Sequence, residues 1–97
     1  MQLNITGHRL PVTPALRTFI EEKFAKLGEH FEHITSINVI LDIEKLDQIA
    51  EATIFVSKAE LHASSKAEDM YAAIDTLIDK LKRQLTKYKE KHLGQRD

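Results

Sequence analysis

A chain of 97 residues, 42% of them apolar and 30% charged, is long enough for one globular domain that buries roughly 60–70% of its unfolded surface around a single core. It contains no cysteine, which excludes a disulfide framework and a thiolate zinc site and fits a reducing compartment. A formal net charge of −1 argues against a protein that coats any nucleic acid. The apolar runs are too short for a membrane span, and the opening MQLNITGHRL lacks the regions of a secretory signal, so the expected setting is cytoplasmic.

Met1, Leu3 and Ile5 alternate with Gln2, Asn4 and Thr6, the period of a half-buried strand, and Gly7 is read as its end. Thr13 before Pro14 starts a helix: the hydroxyl caps free amides, and proline at the first helical position sacrifices no hydrogen bond. Leu16, Phe19, Ile20, Phe24 and Leu27 then recur at helical spacing, with Gly28 expected to close the helix as a left-handed cap. Ile37, Val39, Leu41 and Ile43 switch to period two. A connection over 45–48 leads to Ala50, Ala52, Ile54 and Val56, which continue that period as a hairpin. Ser57 and Lys58, with neither Gly nor Asn, reverse the chain into a strand over 60–64. Residues 69–93 read as one long helix whose stripe is Ile74, Leu77, Ile78, Leu81, Leu85 and Tyr88.

With no linker or internal repeat, residues 1–93 form one domain and 94–97 a short tail. Each strand has one apolar face and two amphipathic helices are available to cover it. The expectation is therefore an α+β, two-layer βαβββα sandwich: a four-stranded mixed sheet with both helices on one face, the plan of double-stranded-RNA-binding domains. A crossover through the first helix makes the first two strands parallel.

Charge is uneven along the chain. Residues 1–79 hold seven Lys or Arg against thirteen Asp or Glu, a balance of −6, whereas residues 80–97 hold seven against two, a balance of +5. At about 100° per residue, Lys80, Arg83, Lys87 and Lys91 fall within roughly 80° of arc on the last helix. They form a mutually repulsive row that folding alone does not favour. Lys82 and Lys89 project from the other flank, where Asp75 and Asp79 are expected to pair with them. The bland alternative is a solvated helix whose C-terminal half carries cations to suit the macrodipole. Against it stand Arg17, Lys23 and Lys26 on the first helix, which suggest two helices framing one basic cleft for polyanion. Its members are Lys23, Lys26, Lys80, Arg83, Lys87 and Lys91.

Other constellations are weaker. His30 and His33 in EHFEH, joined by His8 or His62, have a spacing that metal binding allows, but loop histidines beside Glu29 and Glu32 are more often plain polar surface. There is no Gly-rich phosphate loop and no nucleophile elbow, so neither an enzyme nor a cofactor is expected. Phe19, Phe24 and Phe31 are assigned to the core rather than to a base-stacking platform. Tyr71 is left between packing and offering its hydroxyl to a partner.

The stretches MQLNITG, TPALRTFIEEKFAKL and DMYAAIDTLIDKLKRQLTKYK together resemble the short hibernation promoting factors of bacteria, from Met1 to about Lys91. That resemblance implies the βαβββα fold and binding to the 30S ribosomal subunit through 16S rRNA, in the channel that messenger RNA and the A-site and P-site transfer RNAs use. It implies a block of translation and, with ribosome modulation factor, conversion of 70S ribosomes into inactive 100S dimers in stationary phase. The rRNA-facing positions carried over are Lys23, Lys26, Lys80, Arg83, Lys87 and Lys91, with Arg17 and Lys82 peripheral. No catalytic residue, metal, cofactor, membrane or DNA partner is implied. The alternatives are the paralogous ribosome-associated inhibitor, which stabilises inactive 70S ribosomes, and a general double-stranded-RNA-binding module.

Overall fold

The computed structural model describes residues 1–92, so the tail expected at 94–97 lies outside the described residues. The elements are β1 (Gln2–His8), α1 (Pro14–His30), β2 (Ile34–Glu44), β3 (Asp47–Val56), β4 (Ala59–Ala67) and α2 (Met70–His92). Sheet order is β1-β2-β3-β4, with β1 parallel to β2 and the two remaining pairs antiparallel. The expected α+β sandwich is the observed fold.

Alternation decides which face is buried. Ile37, Val39 and Leu41 of β2, Ala50, Ala52 and Ile54 of β3 and Ala63 of β4 point inward against Leu16, Ile20, Phe24 and Leu27 of α1 and against Ile74, Leu77, Leu81 and Leu85 of α2. Both helices thus share one side, α2 lying over β3 and β4 with α1 beside it. The small side chains Ala50, Ala52 and Ala63 let α2 sit close to the sheet, so the ridge formed by Leu77, Leu81 and Leu85 is fully shielded. Ser65 is the one buried polar residue among those described, and no buried side-chain polar atom lacks a partner. No helix among the described residues is long and apolar enough to cross a membrane.

Several boundaries differ from the sequence reading, each for a local reason. Gly7 does not end β1, which runs on to His8. A Cβ there would collide with the carbonyl oxygen of Leu10, so glycine is set by the chain doubling back over the strand. Gly28 is no left-handed cap, since no glycine among the described residues has positive φ. Instead α1 continues to His30 and Phe31 caps it in an extended conformation. A Cβ at Gly28 would stand 3.2 Å from Met1 Sδ, and glycine makes room there for the N-terminal side chain. The β2–β3 connection narrows to Lys45 and Leu46, with Lys45 left-handed at φ 57°. Strand β4 extends to Ala67.

The helix starts follow capping chemistry. Thr13 Oγ1 accepts from Leu16 N at 3.2 Å. Asp69 does the same for α2, its Oδ1 accepting from Tyr71 N at 3.2 Å and its Oδ2 from Ala72 N at 3.3 Å.

A staple that sequence patterning did not reveal closes the end of β1. Arg9, left-handed at φ 70°, donates from Nε to Asp42 Oδ1 at 2.9 Å and from Nη2 to Oδ2 at 2.8 Å. Ile43 N donates to Oδ1 at 2.7 Å, and His8 Nδ1 lies 3.4 Å from Oδ2. The Arg9 hydrogen bonds hold the Asp42 carboxyl well below the usual carboxylate range, with further help from the Ile43 amide. A depressed folded-state pKa contributes stability above the unfolded value of about 3.9 and loses it as pH falls toward the folded value. Asp42→Asn is therefore expected to lower the urea midpoint at neutral pH. Its deficit against the parent chain should shrink between about pH 5 and pH 2. A deficit independent of pH would contradict the assignment.

Candidate nucleic-acid interface

Helical periodicity fixes the direction of every cation on α2 once Leu77, Leu81 and Leu85 are anchored inward. One flank then faces α1, the crest faces solvent, and the other flank faces the free edge of β4. Lys80 and Gln84 lie on this last flank: Lys80 Nζ donates to Ser64 O at 2.8 Å and Gln84 Nε2 to His62 O at 2.8 Å. These two bonds satisfy carbonyls that an edge strand otherwise offers to a second chain. An ammonium has three donors, so Lys80 keeps capacity for an anion beside its bond to Ser64 O. Lys87 and Lys91 follow at helical spacing on the same flank, and Arg83 occupies the crest. A shallow exposed depression lined by Lys80, Lys82, Arg83 and Lys87 joins crest to flank.

The groove between the helices has a different membership from the cleft expected above. Lys23, Lys26 and His30 of α1 face Asp75, Asp79 and Lys82 of α2 across it. Lys80, Arg83, Lys87 and Lys91 stay outside, because the buried stripe of α2 turns them toward the crest and the β4 edge. Lys82 is the residue that lines both the groove and the crest depression. It therefore joins the α1 cations to the α2 row and is central rather than peripheral in position. Arg17 stands on the flank of α1 away from α2, separated from this band. The exposed crest of α1 carries Glu22 and Glu29, so positive charge is centred on α2 and not shared equally by the helices.

The ion pairs expected for Lys82 and Lys89 do not form. Asp75 is taken across the groove by Lys23, with Nζ 3.1 Å from Oδ1. The same ammonium lies 5.2 Å from the centroid of Phe19, whose ring meets Tyr71 edge-on at 4.8 Å. Tyr71 thus packs between the helices near the start of α2, and Phe19 is only partly buried. Lys89 turns instead to Phe31, its Nζ 5.8 Å from the ring centroid. Among the described residues, Lys26, Lys82, Arg83, Lys87 and Lys91 enter no ion pair, which leaves five cations on this side open to an external anion.

The opposite, open face of the sheet has the other sign. Asp42, Glu51 and Glu60 stand on it with His8, His62 and Lys66, and there the cationic groups are held by carboxylates: His62 Nε2 with Glu51 Oε2 at 3.1 Å and Lys66 Nζ with Asp47 Oδ2 at 3.9 Å. His8 and His62 are thereby held by carboxylates on the sheet, far along the register from His30 and His33 at the end of α1. No group of three or more His, Asp or Glu among the described residues is disposed to hold a metal ion.

With fold and surface described, comparison with known proteins places the chain. The model of the Sigma 54 modulation protein / S30EA ribosomal protein family matches residues 3–93. The chain is similar to the ribosome hibernation promoting factor of Klebsiella oxytoca, 55% identical over 91 residues that cover 94% of this chain and 96% of that protein. It is also similar to the ribosome hibernation promoting factor of Azotobacter vinelandii, 58% identical over 93 residues covering 96% and 87% respectively. A ribosomal subunit interface protein from Coxiella burnetii superposes with a TM-score of 0.88 at 34% identity, covering 92% of this chain and 98% of that one. The chain therefore belongs to the Sigma 54 modulation protein / S30EA ribosomal protein family, within which its close relatives are ribosome hibernation promoting factors.

Proposed function

We propose that this chain is a ribosome hibernation factor that docks its cationic helical side on 16S rRNA of the 30S subunit, within the channel used by messenger and transfer RNA. Occupancy alone then blocks translation in the cytoplasm. Acting with ribosome modulation factor, the bound protein favours inactive 100S dimers in stationary phase. The observation that carries this reading is the band of open cations running from Lys26 through Lys82 and Arg83 to Lys87 and Lys91. The names of the relatives, ribosome hibernation promoting factor and ribosomal subunit interface protein, supply the partner. A sheet rigidly backing α2 presents those charges at helical intervals of about 5–6 Å. The acidic sheet face opposes wrong-way docking.

About six phosphate contacts, Lys80 included, give affinity a steep dependence on salt, with a log–log slope near −4 to −5. Cosedimentation of the pure protein with small subunits between about 50 and 200 mM monovalent salt measures it. A slope shallower than about −1 would contradict the reading, and equal affinity for a plain RNA duplex would favour the double-stranded-RNA-binding alternative.

Lys23 is a special case, because it must leave Asp75 to meet a phosphate. Asp75→Asn frees that ammonium and removes a negative charge from the groove, so small-subunit affinity is expected to rise by about 3- to 5-fold at low salt. A loss of affinity in that variant would mean that Asp75 positions Lys23 for the RNA rather than competing for it.

A further inference from the structure

Where α1 ends, the chain leaves a cavity of about 210 Å³ between the start of β2, the end of β3 and the C-terminal half of α2. Its floor is apolar: Ile34, Val56 and Leu85 are all buried. Its walls are aromatic. Phe31 packs partly buried against the core, as its sequence position suggests, and it caps α1 with φ −135° and ψ 91°, an extended step that brings it to the opening. Tyr88 lies at the edge of the buried stripe of α2, partly buried against the core, and lines the cavity as well. The volume is well below the roughly 300–1,000 Å³ of sites for drug-sized molecules, and suits one planar ring system.

The cavity is not isolated from the cations. An adjoining depression shares His30, Phe31 and Lys89 with it and shares His30 and Lys82 with the interhelical groove, so one continuous concave path leads from Lys23 and Lys26 to the aromatic walls. Glu32 and Glu90 border the path as well. Lys89 holds its ammonium over the Phe31 ring, within reach of a charge that accompanies a ring stacked there. An aromatic slot at the end of a cationic track matches unpaired RNA, which carries planar bases on a chain of phosphates. An apolar side chain of a protein partner would fill the slot but leave Lys82 and Lys89 without anions.

We infer that this cavity seats one unpaired nucleobase, stacked between Phe31 and Tyr88, while the flanking phosphates lie on Lys82 and Lys89. The inference rests on the RNA-binding reading above and adds to it a contact with a base rather than with backbone charge. Stacking tolerates any base, so the slot selects a splayed nucleotide and not a sequence.

The test separates stacking from charge by their salt signatures. Phe31→Leu and Tyr88→Leu should each weaken binding to 30S subunits about 5- to 100-fold at every salt concentration while leaving the log–log slope unchanged. Tyr88→Phe, which keeps the ring, should bind more tightly than Tyr88→Leu with the same log–log slope. Circular dichroism confirms that each variant is folded, and the Tyr88 pair decides the matter if Phe31→Leu is not. Ultraviolet crosslinking of the parent chain on 30S subunits should leave a nucleotide adduct on the peptide around Phe31 or Tyr88. Parent-like affinity of both leucine variants would overturn the inference, as would crosslinks from these residues to a ribosomal protein only. If the parent chain itself fails to bind subunits, the RNA-binding reading falls, an outcome distinct from parent binding that is insensitive to the aromatic residues.

Discussion

Charge reversal at Lys26, Lys82 and Lys87 is expected to weaken binding to 30S subunits about a hundredfold near 0.15 M salt and to make the salt slope shallower by about three. The magnitude follows from counterion release: at that salt concentration each phosphate contact contributes roughly 1 kcal/mol, or about fivefold in affinity. The three residues sample the groove, its junction with the crest and the outer flank, and none is engaged in an ion pair with the rest of the protein. The control is Lys45→Glu/Lys58→Glu, which reverses charge at the two hairpin turns and spares Lys66, which lines a depression together with Lys80. It should bind within about threefold of the parent, because exposed charges farther than a Debye length of about 8 Å are largely screened. Equal losses per reversed charge in the two variants would show that overall charge, and not the patch, governs binding. Lys80 is left out deliberately, since its bond to Ser64 O makes any variant ambiguous between lost RNA contact and an uncapped β4 edge.

The second large effect concerns the fold that carries the patch. Phe24 is fully buried where α1 meets the sheet and α2. Phe24→Ala is expected to cost about 3–5 kcal/mol, through lost transfer free energy and the cavity left behind. A domain of this size has a total stability of about 5–15 kcal/mol, so chemical denaturation should show a midpoint reduced by about a fifth or more. The groove should suffer first, because α1 holds Lys23 and Lys26 opposite Lys82 only while its stripe stays docked. A loss below about 1 kcal/mol would mean that α1 is not anchored through this residue.

The layers of the fold were readable because burial imposes the rhythm of the sequence. Period two in β2 and β3 and the stripe of α2 follow directly from one covered sheet face. What the pattern did not contain were tertiary reasons for single residues. Gly7 and Gly28 look like punctuation in one dimension; in space they yield to the Leu10 carbonyl and to Met1. The Arg9–Asp42 staple joins residues 33 apart in sequence and has no periodic signature.

The candidate interface was legible in part. Helical angles correctly set Lys80 and Lys87 apart from Lys82 and Lys89, but assigning Asp75 to its own helix overlooked Lys23 across the groove. That error hid Lys82, which looked neutralised in sequence and is open in space. Likewise the aromatic character of Phe31 placed it against the core, where it is partly buried, but only the geometry of the helix end reveals that it also lines a cavity. Both misses have the same origin: local spacing ranks partners within an element and is blind to those an adjacent element supplies.

The most direct measurement of the central claim is the lysine reactivity of the protein free and bound to 30S subunits, read residue by residue by mass spectrometry after acetylation. Lys26, Lys82, Lys87 and Lys91 should become protected on binding, while Lys45 and Lys58 keep their free-state reactivity. Protection of the hairpin lysines, with the helical lysines still reactive, would place the ribosome away from the cationic helical side and contradict the account.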